Sequence, residues 1–159
     1  MTDEVRIRVA GPTDCGELAA FFEAIGSDET LVAFFHPHPF TREQAEWVCA
    51  RDSGLRDLYF VANEDDSPDI VGYAMLRGWD EGYEVPAFGV CVRPDKQGRR
   101  LGRMLLEHAV DAAKAAGAAR VMLKVHRDNA SARRLYQSAG FAFASGQETE
   151  QVVGYKEIA

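Results

Sequence analysis

The chain has 159 residues, 47% of them apolar and 27% charged, a size and balance that fit one globular domain with a single core. Its formal net charge of -7 argues against broad nucleic-acid binding, which needs basic surface to displace counterions. No apolar run is long enough to span a membrane, and the charged N-terminus MTDEVRIRVA reads as a first strand rather than a leader, so a cytoplasmic protein is expected.

In chain order, Val5, Ile7 and Val9 alternate with Arg6 and Arg8, predicting a half-buried strand over 4–10. Gly11-Pro12 breaks it, and Thr13 or Asp14 can cap a helix ending near Gly26. A second helical stretch covers 28–35 and stops at FHPHPF. Thr41 with Gln44 three residues on forms a capping box for a helix to about Arg51. Strands are predicted over 57–63 and 69–77, joined by the acidic turn NEDDSPD, and another over 84–92. Residues 100–116 form the clearest helix, with Leu101, Leu105, Ala109, Ala112 and Ala116 on one face. Val121, Leu123 and Val125 mark the next strand. Asn129 caps a short helix that Gly140 ends, and strands near 141–145 and 151–158 close the chain. With no repeat or linker visible, the pattern is a single domain, residues 1–159, of α+β (three-layer α/β) class with a mixed sheet.

Three cysteines, Cys15, Cys49 and Cys91, show no metal-ligand spacing and read as small buried apolar residues. His36 and His38 form an H-x-H pair without a third ligand in sight, so no metal is expected.

The charge is uneven. Arg93, Lys96, Arg99, Arg100 and Arg103 fall within eleven positions, opposed only by Asp95, where a loop runs into the helix at 100–116. A helix N-terminus offers unpaired N–H groups and a partial positive charge, and Gly98 and Gly102 let ligand oxygens approach the backbone. Neither G-x-x-x-x-G-K-[ST] nor an early G-x-G-x-x-G is present, so neither a P-loop nor a dinucleotide fold is supported. The alternative is an ordinary turn with a solvated arginine face. Further on, Asn129 and Tyr136 stand seven residues apart on one helix face, with Ala132 small between them. They can border a groove for a long polar ligand, or be simply a cap and a core aromatic.

Together, Gln97-x-x-Arg100-x-Gly102 and Asn129-x-x-Ala132-x-x-x-Tyr136-x-x-x-Gly140-Phe141 resemble the GNAT superfamily of acyl-CoA-dependent N-acyltransferases. The resemblance implies a mostly antiparallel central sheet with helices on both faces and a splayed strand pair that opens the acyl-CoA cleft. It implies acetyl-CoA as cofactor, its pyrophosphate cradled by the loop Gln97, Gly98, Arg99, Arg100, Leu101, Gly102 and Arg103. Val90, Cys91 and Val92 would offer backbone groups to the pantetheine arm, Asn129 would bond it, and Ala132 and Tyr136 would line it. One departure stands out: Arg100 occupies the place where the family usually has glycine.

The implied reaction is direct attack of a primary amine on the acetyl thioester. Only about one such amine in ~2,500 is neutral at pH 7, a cost of ~4.6 kcal/mol, so a base is required. Tyr136 is the candidate acid for the departing thiolate. The family's usual strand glutamate, nine positions before the glutamine, is Phe88 here, which leaves Glu84 as the nearest carboxylate. His36 and His38 are further candidate bases, and Phe34, Phe35 and His36 would wall the acceptor pocket. A small-molecule or peptide amine is the expected partner, with no nucleic acid, no membrane and a possible homodimer. A non-catalytic acyl-CoA sensor and an arginine-loop interaction domain are the competing readings.

Overall fold

A computed structural model describes residues 4–35, 37–51, 54–64, 66–98, 100–144 and 149–159. Alternating apolar residues pair seven strands into one sheet: β1 (Val5–Val9), β2 (Leu58–Glu64), β3 (Ile70–Arg77), β4 (Ala87–Val92), β5 (Arg120–His126), β6 (Ala142–Phe143) and β7 (Gln151–Glu157). Their spatial order is β1-β2-β3-β4-β5-β7-β6, antiparallel except for the central β4–β5 pair. The expected mixed, mostly antiparallel sheet is therefore present.

Two cores sandwich it. Helices α1 (Cys15–Gly26) and α3 (Arg42–Cys49) bury Leu18, Phe21, Phe22, Ile25 and Val48 against Tyr59, Val61, Tyr73, Met75 and Cys91. On the other face, α4 (Leu101–Ala115) and α5 (Ala130–Ser138) bury Leu101, Leu105, Leu106, Ala109 and Tyr136 against Phe60, Ala74, Phe88 and Leu123. The short α2 (Glu29–Phe34) follows α1 and buries no residue fully.

The anticipated caps form at Thr41 and Asn129, Asp28 adds one the sequence reading did not name, and Asp14 begins α1 without capping it because its oxygens are taken by Arg8. Thr41 Oγ1 accepts from Gln44 N–H (3.1 Å), Asp28 Oδ1 from Leu31 N–H (3.0 Å) and Asn129 Oδ1 from Ala132 N–H (3.3 Å). Asp14 is buried at the start of α1, where both its oxygens receive the Arg8 guanidinium at 2.6 Å.

Three expectations shift. β4 begins at Ala87 rather than 84, after the turn through Trp79–Glu81 and buried Pro86, so Glu84 lies outside the ladder. The stripe on α4 runs through Leu105, Ala109 and Ala113, leaving Ala112 half-buried and Ala116 exposed, because four-residue steps follow the apolar face more closely. The strand expected at 141–145 shrinks to Ala142–Phe143, and Ser145 lies outside the described residues.

Candidate functional site

Parallel pairing between β4 and β5 lasts for two positions, Ala87 with Met122 and Phe88 with Leu123, and then stops. β4 stays in register with β3 as far as Val92, while β5 stays in register with β7 as far as His126. The two strands therefore diverge, each held by its outer neighbour.

Alternation along β4 decides what the gap offers. Arg93 N–H donates to Val71 C=O (2.9 Å), so odd-numbered residues turn their backbone groups toward β3. Even-numbered ones face β5, as the bond from Met122 N–H to Pro86 C=O (3.0 Å) confirms at the closed end. Past Phe88, the backbone groups of Val90 and Val92 consequently face the gap. Val92 C=O accepts a bond from the Gln97 side chain at 3.3 Å. Cys91 differs from its neighbours: its backbone is turned to β3, and its buried thiol contributes to the wall. Burial pushes that thiol up to about 12, so it stays protonated near neutrality.

The gap opens into a cavity of about 1720 Å³ that reaches through the sheet. On one side it is lined by Gly98, Arg100, Leu101, Gly102, Asn129, Ala132 and Tyr136; on the other by Phe34, Phe35, Met75, Arg77, Met122 and Lys124. Residues far apart in sequence thus share one space, and both motifs border it.

At the loop end, the first helical bond of α4 runs from Met104 N–H to Arg100 C=O (3.1 Å). The N–H groups of Leu101, Gly102 and Arg103 precede it and have no helical acceptor, and no side chain among the described residues caps them. A β-carbon added at Gly102 would meet Leu135 Cδ2 at an ordinary 3.6 Å. Uncapped donors at a glycine-lined helix start, open to a cavity, fit an anionic group.

The loop's charges are less free than their number suggests. Arg93 is clamped by Asp95 (2.6 and 2.9 Å), Lys96 lies 3.2 Å from Glu64, and Arg103 is shared between Glu107 (3.4 Å) and Ser138 (2.5 Å). Arg99 lies outside the described residues. Arg100 has no acidic partner among the described residues and adopts φ 65°, a left-handed conformation that costs a non-glycine residue roughly 1–2 kcal/mol. Its side chain is exposed at the cavity.

Tyr136 is 7% exposed, with its ring edge-on to Phe88 (6.3 Å) and Phe141 (6.0 Å). Its hydroxyl makes no hydrogen bond to a described residue, and burial pushes its pKa well above the usual phenol value. That direction opposes the tuning a full proton donor would want, and it keeps the hydroxyl a neutral hydrogen-bond donor.

Across the sheet, Phe34 and Phe35 line the cavity as expected. Phe34 packs on His126 (5.1 Å), and Phe35 Cε1 stands 3.1 Å from where a Gly89 β-carbon would be. Gly89 therefore keeps the middle of β4 thin. Glu84 is exposed at the rim beside Tyr83, which is 65% exposed. His36 lies outside the described residues. His38 does not line the cavity; it is buried, with Nε2 2.9 Å from the Tyr73 hydroxyl and Nδ1 2.9 Å from Pro39 C=O. Its ring is thus engaged as structure rather than as a base. Sequence reasoning overlooked Arg77, Met75, Met122 and Lys124. Period-two alternation puts Arg77 on one face with Tyr73 and Met75, but nothing local signals that this face borders a cavity.

Among the described residues, no three potential metal ligands cluster, and no helix is long and apolar enough to cross a membrane.

Comparison with known proteins agrees with this geometry. A [Ribosomal protein bS18]-alanine N-acetyltransferase of Salmonella typhimurium is 47% identical over 58 residues, which cover 36% of this chain and 39% of that protein. The chain thus spans about two fifths of the first curated relatives it matches. The L-amino acid N-acyltransferase MnaT of Escherichia coli is 28% identical over 145 residues, covering 85% of this chain and 78% of the relative. The solved structure of yncA from Salmonella typhimurium, determined with its cofactor acetyl-CoA, superposes with a TM-score of 0.74 at 23% identity, covering 98% and 94% of the two chains. The family model for the acetyltransferase (GNAT) family matches residues 18–141, which include the splayed strands, the uncapped helix start and Tyr136. The chain belongs to that family.

Proposed function

We propose that the protein is an N-acetyltransferase that moves the acetyl group of acetyl-CoA to a primary amine, both substrates being held at once. The observation that carries this reading is the cavity through the sheet at the β4–β5 splay, which lets two ligands meet from opposite faces. Acetyl-CoA supplies the activated acetyl thioester.

The chain's residues divide the remaining work. The N–H groups of Leu101, Gly102 and Arg103 receive the pyrophosphate, with Gln97, Gly98 and Arg100 completing the cradle. Val90 and Val92 present strand-edge backbone groups to the pantetheine amides, with Cys91 behind them and Ala132 leaving room. Asn129 spends its Oδ1 on the helix cap, and its side-chain amide group remains to donate to the same arm. The neutral Tyr136 hydroxyl donates a hydrogen bond to the sulfur as the C–S bond breaks and the C–N bond forms. Glu84 at the rim takes the proton the amine must lose, directly or through water, and Phe34 and Phe35 wall the amine's approach.

The acceptor is a small-molecule or peptide amine. The two curated relatives described above are named as N-acylating enzymes, one of a ribosomal protein's alanine and one of L-amino acids. We place the enzyme in the cytoplasm as one domain over 1–159, and a homodimer is testable by light scattering.

The test is acetyl transfer to a panel of amines, read by mass spectrometry, with calorimetric acetyl-CoA binding measured alongside. Wild type is expected to acetylate one class, and Tyr136→Phe to lower kcat about 10- to 100-fold with acetyl-CoA affinity retained. Binding without transfer to any amine would leave a cofactor sensor in place of an enzyme.

A further inference from the structure

The two walls of the cavity differ in charge from the chain as a whole. On the acceptor side, Arg77 is half-buried at the end of β3, with Nη1 donating to Pro37 C=O at 2.9 Å and lying 3.9 Å from Met75 Sδ. Met75 Sδ in turn stands 3.6 Å from where a Gly89 β-carbon would be. The guanidinium is thus two contacts from the middle of β4, beside the splay. No carboxylate among the described residues pairs with it, whereas Arg8, Arg51, Arg93 and Arg120 each hold one.

The neighbours sharpen this contrast. Lys124 lines the same wall, exposed and without an ion-pair partner among the described residues. Arg120 is neutralised by Glu157 at 2.8 Å and stacked on Tyr155. The acids on this side, Glu81 and Glu84, sit on the exposed rim rather than beside Arg77. A guanidinium whose Nη1 is held by a neutral carbonyl and a thioether, and whose Nε and Nη2 donate to no described residue, is built for a planar anion that accepts two bonds.

We propose that the acceptor carries a carboxylate next to its amine, and that Arg77 receives it. The acceptor class is a free amino acid rather than a polyamine, an aminoglycoside or an internal peptide segment. This deepens the function proposed above and rests on it. Arg77 on the wall and Glu81 and Glu84 on the rim of the same side orient a zwitterion, its carboxylate toward the guanidinium and its nitrogen toward the acids.

The test compares each of a set of α-amino acids with its primary amide, for wild type, Arg77→Gln and Arg77→Lys. Thermal melting and calorimetric acetyl-CoA binding are recorded for each protein. Amidation removes the carboxylate and raises the neutral fraction of the amine, so free chemistry favours the amides. The proposal expects the reverse: kcat/KM about 30-fold higher for the acids in wild type. Arg77→Gln should erase most of that preference while leaving amide rates and acetyl-CoA affinity unchanged, and Arg77→Lys should keep part of it through charge alone. Equal or faster amides in wild type overturn the proposal and leave acetyl transfer standing. A loss in Arg77→Gln that falls equally on acids and amides, at unchanged melting temperature, overturns it too. Silence on every amine with acetyl-CoA bound removes the proposed activity and this inference with it.

Discussion

The two faces of the sheet border the cavity by different means. On the α4–α5 face, one contiguous loop brings N–H groups and glycines to the cavity, and the helix start itself supplies the donors. On the α1–α3 face, the cavity is walled by side chains from α2, β3, β5 and the rim turn, with no two in a common motif. Backbone recognition needs a fixed conformation and tolerates few side chains, so it leaves a spacing in the sequence. Side-chain recognition needs only that a few atoms converge, and many sequences can achieve that.

The largest expected effect breaks the first face and spares the second. Gly102→Glu places a carboxylate in the first turn of α4, where the helix dipole favours it and the nearest neighbour stands 3.6 Å from the new β-carbon. Folding should survive. Acetyl-CoA affinity should fall at least about 100-fold, ~2.7 kcal/mol, as calorimetry would record, because the acid repels phosphate where the N–H groups should receive it.

Next in size is a change to the frame of the second face. Asp14 is buried, and its hydrogen bonds from Arg8, with help from Gly11 N–H, hold its carboxyl below the usual aspartate range. Because the folded pKa is lowered, this stabilisation is fully present above the unfolded pKa and is lost as pH falls through the folded value. Asp14→Asn should cost about 2 kcal/mol at neutral pH, with a shallower loss of stability in acid, measured by urea unfolding from pH 3 to 7. Acetyl-CoA affinity should hardly change, since α1 lies across the sheet from the loop.

A smaller effect sharpens the first face. Arg100 spends conformational energy at φ 65° where glycine would be at ease. Arg100→Gly should raise the unfolding free energy by about 0.5–1 kcal/mol, while acetyl-CoA binding weakens severalfold and loses part of its salt dependence. Equal affinity at low and high salt in both proteins would show that this arginine faces solvent rather than phosphate.

The smallest effect concerns the thiols. Burial pushes Cys49 up to about 11 and Cys91 up to about 12, while Cys15 is half-exposed. Iodoacetamide at pH 7.5 should label Cys15 first, and labelling at Cys91 on the same timescale would mean the wall of the splay opens in solution.

Much of the frame was legible from local chemistry. Thr41 and Asn129 cap where a short polar acceptor precedes an apolar period, and Gly140 ends α5 at φ 98° because only that residue adopts the angle cheaply. The motif around Gln97, Gly102 and Asn129 pointed to the family for the same reason, since it encodes a backbone shape. The charge on that loop misled more than it informed. Counting arginines suggests a strongly basic rim, yet Arg93, Lys96 and Arg103 each have an acidic partner, one of them 32 positions away in Glu64.

By itself the sequence determined the order of the elements, the caps at Thr41 and Asn129, the glycine-bearing start of α4 and the resemblance to the family, each carried by residues within a few turns of one another. Tertiary structure alone decided that β4 and β5 part after Phe88, that His38 is engaged by Tyr73, and that Arg77 reaches the cavity without a carboxylate. Each of these depends on contacts between segments 35 to 40 residues apart, and no periodicity records which partners the fold will bring together.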